Sequence, residues 1–479
     1  MTVNKENLVR NFVSSMEEGD AALFIGAGMS RPSGYVDWKG LLRECARELN
    51  LDLDREHDLV AVAQYYLNLR NRDRSRLNQI ISEEFRKPGS LSPNHEIIAR
   101  LPISDIWTTN FDTLIEDALR AAKRIVDVKS RNQDISIHLK DRDAVVYKMH
   151  GDINRPDEVI ISKDDYERYA KNHHIIQQAL EGDLVSKTFL FLGFSFSDPN
   201  LEYMLGHLRS LLEESKREHY AIMRRARIDW HKDKAEAQKL FEYEKNKQEL
   251  QINDLQRYSI QSQLIDEFSE VTEILEAIER AYLMKNVFVS GSAINFGELG
   301  EERIRDLCMH LGERLVDENY RLISGVGLNI GDSVVKGALL KLYEKGITSI
   351  EKKLTVRPFP RNLPPGVNEV EFNHNYRESM IKKSGFAIFI SGNSRTAPEM
   401  SRGILEEFSV AKKLNKIPIP LGVTGFAARH IWEELEPKID EIYSNQVPRD
   451  LFLKLNNPSL TNSEILQSVF KIIQIFRHI

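Results

Sequence analysis

Twice along this chain, short apolar runs end in glycine or small polar residues and give way to helical stretches. In the first half AALFIGAG (21–28) reads as a buried strand entering a glycine loop. SDIWTTNFDTLIEDALRAA (104–122) is a strand, a polar break and a helix, and AVVYKMHGD (144–152) is a strand ending in a turn. KTFLFLGFSFSDPNLEYMLGHLRSLL (187–212) repeats the order, with Asp198–Pro199 as a helix start, and HYAIM (219–223) adds a strand. SEVTEILEAIERAY (269–282) is an amphipathic helix that closes this half. The pattern restarts after Lys285 with NVFVSGSA (286–293), YRLISGVGLNIGDSVVKGALLKLYEK (320–345), LTVRPFP (354–360), a helix RESMIKKSG (377–385), FAIFISGN (386–393) and KIPIPLGVTG (416–425). Alternating βα units bury their apolar faces in a parallel sheet covered by helices on both sides. The expected fold class is therefore α/β, two doubly wound domains, 1–283 and 284–479.

The charge balance excludes some functions. Lys and Arg number 66 against 72 Asp and Glu, a net of −6, whereas a protein that coats duplex nucleic acid usually carries a basic domain. The charge-dense stretch 224–256 reads as a solvated helix, because acids interleave with its bases. Two cysteines, Cys45 and Cys308, rule out a disulfide framework and a four-cysteine zinc site, and point to a reducing cytoplasm. The N-terminal MTVNKENLVRNFVSSMEEGD lacks a signal-peptide core, and no apolar run reaches the roughly 18 residues that span a bilayer. Neither export nor membrane binding is expected.

Three polar sites fall at strand ends of the first half: GAGMS (Gly26–Ser30), TTNFD (Thr108–Asp112) and HGD (His150–Asp152). Open α/β sheets bind ligands at the carboxyl ends of their strands. Gly26 and Gly28 let backbone N–H groups approach a pyrophosphate. The amide of Asn110 can donate and accept, which suits a ribose hydroxyl or a water. His150 is the residue type that takes a proton near neutrality. Taken singly, each has a plainer role: a tight turn, a helix cap, a strand-end histidine. Their joint occurrence in this order favours one pocket.

As a set, GAGMS, TTNFD and KMHGD resemble the sirtuin signature of an NAD-binding glycine loop, an asparagine–aspartate motif and a catalytic histidine. GFS (Gly193–Ser195) sits where that family places a further NAD-contacting loop. The resemblance covers about residues 10–280. It implies catalytic roles for Asn110 and His150, with Asp112 orienting the site or the helix start. It also implies NAD contacts from Gly26, Ala27, Gly28, Ser30, Thr109, Gly193 and Ser195. Thr109 stands where deacylases usually carry glutamine, and the four cysteines of the deacylase zinc module are absent. The resemblance thus implies glycosidic chemistry on NAD without a peptide cleft and without a metal.

The second half carries SGSA (Ser290–Ala293), SGVGLNIG (Ser324–Gly331), RPFP (Arg357–Pro360), YRESM (Tyr376–Met380), SGN (Ser391–Asn393) and GILEEF (Gly403–Phe408). Two glycine loops at strand ends point to a second nucleotide-shaped pocket. Arg377, read near a helix start, can pair with a phosphate, and Glu407 can accept from ribose hydroxyls. This half resembles the SLOG family of Rossmann-like nucleotide-binding domains. The full expectation is two doubly wound Rossmann-like domains, an N-terminal sirtuin-like domain without zinc module and a C-terminal SLOG domain.

Sirtuin-like plus SLOG in that order is similar to the Thoeris anti-phage defence NADases. That resemblance implies NAD as substrate and a SLOG pocket that senses a cyclic ADP-ribose isomer made by a TIR-domain partner protein. It also implies a homotetramer. The implied effector-pocket residues are Gly291, Ser292, Arg377, Asn393 and Glu407, with Ser394 and Arg395 following SGN where the better-known pattern has a lysine. The rival readings are a sirtuin-type deacylase or ADP-ribosyltransferase, whose NAD consumption needs an acylated substrate, and a nucleotide-binding regulator, which releases no nicotinamide. Phosphoribohydrolase activity in the second half lacks a convincing acid–base pair.

Overall fold

The computed structural model describes residues 3–56, 58–87, 89–194, 196, 201–202, 204–206, 209, 217–228, 234–360, 363–394 and 396–477. Ser195, Asp198, Pro199 and Arg395 lie outside the described residues. The chain forms two compact units, Met1–Glu279 and Arg280–Ile479.

The first unit is built on seven strands: β1 (Ala21–Ile25), β2 (Asp105–Thr108), β3 (Val126–Lys129), β4 (Ala144–Lys148), β5 (Thr188–Leu192), β6 (His219–Arg224) and β7 (Ile260–Ile265). They pair in parallel in the order β3-β4-β2-β1-β5-β6-β7. All residues of β1 and β5 are buried, as the continuous apolar runs require of central parallel strands. The chain builds outward from β1 on one side and then returns to lay β5 on the other. That reversal opens a crevice at the carboxyl end of β1. The sequence reading missed β3 and β7. β3 has only four residues, and β7 (IQSQLI) is an edge strand whose polar residues hide its alternation.

The helix Leu114–Ala121 follows TTNFD directly and buries Leu114, Ile115, Ala118 and Leu119, one face at helical spacing. The helix Lys234–Gln256 has, among its described residues, only Ala237, Ile252 and Leu255 buried. It is the solvated helix that its interleaved charges indicated.

The second unit holds β8 (Asn286–Ser292), β9 (Arg321–Ser324), β10 (Leu354–Val356), β11 (Phe386–Ser391) and β12 (Ile417–Leu421), parallel in the order β10-β9-β8-β11-β12. This too is a doubly wound sheet, with its reversal beside β8. The helix around Arg377 runs Glu369–Ile381, capped by Asn368. Arg377 therefore sits in the helix interior and not near its start. Helices beyond residue 425, among them Phe426–Leu435 and Asn462–Arg477, complete the layers. Among the described residues no helix is long and apolar enough to cross a membrane.

Candidate functional site

The strand ends of β1 and β5 meet backbone to backbone. Gly26 donates its N–H to the Leu192 carbonyl at 2.9 Å, and Gly28 donates to the Gly193 carbonyl at 3.0 Å. A Cβ on Gly26 would stand 2.5 Å from the Gly193 oxygen, and one on Gly28 would stand 2.9 Å from it. Only glycine allows this approach. The two amides that the sequence offered to a pyrophosphate are thus engaged with the β5 loop. Gly193 has φ +62° and is exposed.

Beyond β2 the chain folds back on β1. Thr108 donates its hydroxyl to the Ile25 carbonyl at 2.9 Å and accepts the N–H of Asn110 at 3.0 Å. Asn110 then donates through Nδ2 to the Gly26 carbonyl (3.1 Å) and to Ser30 Oγ (3.0 Å). Ser30 in turn donates to Asp112 Oδ2 at 2.7 Å, and Asp112 Oδ1 accepts the N–H of Leu114, at the helix start, at 3.1 Å. Asp112 therefore both starts the helix and anchors the relay to Asn110. Both Nδ2 hydrogens of Asn110 are committed, whereas its Oδ1 is buried with no hydrogen-bond partner among the described residues. An acceptor left over in a buried site carries a desolvation penalty that a bound hydroxyl or water removes.

Ala27, Ser30, Thr109, Asn110 and Asp112 share the walls of one cleft with Val36, Asp37, Trp38, Leu41, Phe85 and Phe111. Its free volume is about 20 Å³, room for about one water. His150 is not part of these walls. It is 1% exposed, with its ring edge-on to Trp38 (6.4 Å between centroids), Tyr166 (5.6 Å) and Tyr169 (6.4 Å). Trp38 borders both the cleft and the histidine. The structure thus brings Ala27, Ser30, Thr109, Asn110 and Asp112 together directly, and His150 through Trp38.

Asp37 and Trp38 were not picked out in the sequence as site residues. A signal was present in the sequence: they follow Gly34, a residue type that permits a sharp turn after the glycine loop, and Trp38 is one of four tryptophans. Asp37 accepts the N–H of Gly40 at 2.9 Å and so starts the short helix Trp38–Leu41 that presents the indole.

In the second unit, the effector candidates gather around the carboxyl end of β8. Ser290 donates to Glu407 Oε2 at 2.5 Å, and Ser292 donates to the Asn393 carbonyl at 2.9 Å. Gly291 lies between them, in register with Ile390 of β11. Asn393 is fully buried. Its Oδ1 accepts the N–H groups of Ile294 (2.8 Å) and Asn295 (2.9 Å), and its Nδ2 donates to the Asn295 carbonyl (2.8 Å). Its side chain shapes the turn after β8. Arg377 pairs with Glu406 at 2.7 Å, lies over the Phe359 ring at 5.0 Å and holds Nε 3.7 Å from Glu407. Burial pushes the Glu407 carboxyl up to about 7, opposed by the Ser290 bond and by the Arg377 charge. Among the described residues no group of three or more His, Cys, Asp or Glu side chains is placed to hold a metal ion.

Comparison with known proteins covers both units. Residues 104–248 match the SIR2-like domain family, and residues 270–476 match the Sir2- and TIR-associating SLOG family. A protein of Bacillus cereus (strain MSX-D12), the NAD(+) hydrolase ThsA, is 39% identical over 474 residues, covering 98% of each chain. Proteins of the same name from Acinetobacter baumannii (strain 532279) and Cytobacillus dafuensis are 40% identical (98% of each chain) and 37% identical (100% of this chain and 98% of the relative).

Proposed function

The chain belongs to the ThsA family of NAD(+) hydrolases, and from that premise we propose that its first unit cleaves NAD to nicotinamide and ADP-ribose at the cleft beside Asn110. The bond between the pyridinium nitrogen and the anomeric carbon breaks, and its electron pair leaves with nicotinamide, which becomes neutral. Positive charge builds on the ribose as in glycoside cleavage. A water oxygen bonds to the anomeric carbon, and the proton it sheds passes to His150 as general base. Asn110 Oδ1 accepts from a ribose hydroxyl or from that water. Asp112, through Ser30, keeps the amide turned so that its oxygen is the free end. Ala27, Thr109 and the loop at Gly193 lie along the dinucleotide. The observation that carries this reading is the single uncommitted acceptor of Asn110, held in place by a relay that uses both of its donors.

The second unit serves as the sensor. A cyclic ADP-ribose isomer, made by a TIR-domain protein, binds where Gly291, Ser292, Arg377, Asn393 and Glu407 lie, and binding switches on NAD loss in anti-phage defence. The narrowness of the Asn110 cleft supports a resting state that must open before NAD enters. A ligand can activate only by favouring the open arrangement. A homotetramer in the cytoplasm completes the reading.

Purified full-length protein should release nicotinamide from NAD when cyclic ADP-ribose isomers are added, and Arg377→Ala should remove that response. No release with or without any isomer would overturn the hydrolase reading. Equal activation of the variant would remove Arg377 from the sensor.

A further inference from the structure

Lys148 lies at the end of β4, two residues before His150, and is fully buried. A lysine without solvent must find acceptors for its ammonium. Four surround it. Nζ donates to the carbonyls of Phe111 (3.0 Å) and Asp112 (2.6 Å), and lies 2.9 Å from both Glu116 Oε1 and Asp152 Oδ2.

The origin of these acceptors is what matters. Phe111 and Asp112 are the two residues directly after Asn110. Glu116 lies in the helix that those residues start. Asp152 stands two residues after His150, with its other oxygen accepting from Asn154 at 2.8 and 2.7 Å. One cation therefore gathers the asparagine loop, the following helix and the histidine loop. Backbone bonds run alongside it, from Met149 N–H to the Thr108 carbonyl (2.9 Å) and from Ile153 N–H to the Phe111 carbonyl (3.0 Å). Burial disfavours the charge on Lys148, but the carboxylates of Glu116 and Asp152 outweigh it and keep the amine protonated.

We infer that Lys148 is a positioning residue of the NAD-cleaving site, whose ammonium fixes the backbone that carries Asn110 relative to the backbone that carries His150. The inference rests on the hydrolase reading above. Lys148 touches no substrate; it acts through the two loops. Its loss should therefore affect the transition state, where both groups must reach one carbon, more than the binding of NAD.

Lys148→Met alone leaves the Glu116 and Asp152 carboxylates buried without their cation. Burial raises the Glu116 carboxyl, so without the cation it takes a proton. The decisive variant is therefore Lys148→Met with Asp152→Asn, with Asp152→Asn as its control. Nicotinamide release by the full chain is measured against NAD concentration with cyclic ADP-ribose isomers present, beside thermal unfolding. The double variant should unfold with the cooperativity of the wild type and keep KM within about twofold. Its kcat should fall about tenfold or more below that of Asp152→Asn. Lys148→Arg, which restores a buried cation, should recover part of the lost kcat. A folded double variant with the kcat of its control overturns the inference. So does a double variant that fails to fold, which would make Lys148 an element of stability. The wild type separates the two readings: if it releases no nicotinamide, the hydrolase reading fails before the role of Lys148 is reached.

Discussion

Asn110 donates to the hydroxyl of Ser30 at 3.0 Å, across eighty positions of chain, and Ser30 donates its hydroxyl in turn to Asp112 Oδ2 at 2.7 Å. The glycine loop after β1 thus sets the orientation of an amide that the loop after β2 supplies. Ser30→Ala should leave Asn110 with one anchor, the Gly26 carbonyl, and leave Asp112 Oδ2 without its donor. Chemical denaturation should show a loss of about 1–2 kcal/mol. Nicotinamide release should drop about tenfold, because a freed amide no longer holds its oxygen in one place.

His150→Ala should abolish turnover while the chain still folds. The ring is buried against Trp38, Tyr166 and Tyr169, so its removal leaves a cavity costing about 2–3 kcal/mol. Loss of the general base should lower kcat by about a hundredfold or more. Normal turnover in a folded variant would show that another group takes the proton.

Gly26→Ala tests the loop meeting between β1 and β5. The added methyl would lie 2.5 Å from the Gly193 oxygen and 2.9 Å from the Phe194 Cα. Both obstacles are backbone, so the loops must part, at about 1–3 kcal/mol. Thermal unfolding should shift down and KM for NAD should rise. An unchanged unfolding midpoint would mean that the two loops separate freely.

Much of this architecture was legible in the sequence because its determinants are local. Apolar runs that end in glycine marked β1, β5, β8 and β11, and the polar breaks after β2 and β4 marked Asn110 and His150. β7 was not legible, because an edge strand buries only part of itself and Gln261 and Gln263 mask the pattern. Lys148 stood inside a quoted motif, yet nothing about a lone lysine announces its burial. That follows only once Glu116 and Asp152 arrive from elsewhere in the chain. The engagement of the Gly26 and Gly28 amides was hidden for the same reason: their acceptors sit on β5, and sequence spacing does not reveal strand order.

Glu407 makes the stability of the second unit depend on pH. Burial raises its carboxyl from 4.5 to about 7. A group raised on folding contributes stability that is complete below its unfolded value, and that contribution is lost as pH rises through the folded one. The contribution should therefore fade between about pH 4.5 and 7, by on the order of 3 kcal/mol. Glu407→Gln cannot ionise. Measured by unfolding, the variant should gain on the wild type as pH rises from about 5 to 8. A difference that stays constant over that range would show that Glu407 titrates as an ordinary carboxylate.

The central claim is that the amide of Asn110 and the imidazole of His150 serve the same bond of NAD. The most direct test is a crystal structure of the His150→Ala chain with NAD bound. The account expects the nicotinamide ribose at the cleft, with a ribose hydroxyl or a water donating to Asn110 Oδ1. The anomeric carbon should face the space vacated by the imidazole, within about 3.5 Å of that water. NAD seated at other strand ends, with Asn110 Oδ1 still unpartnered, would contradict it.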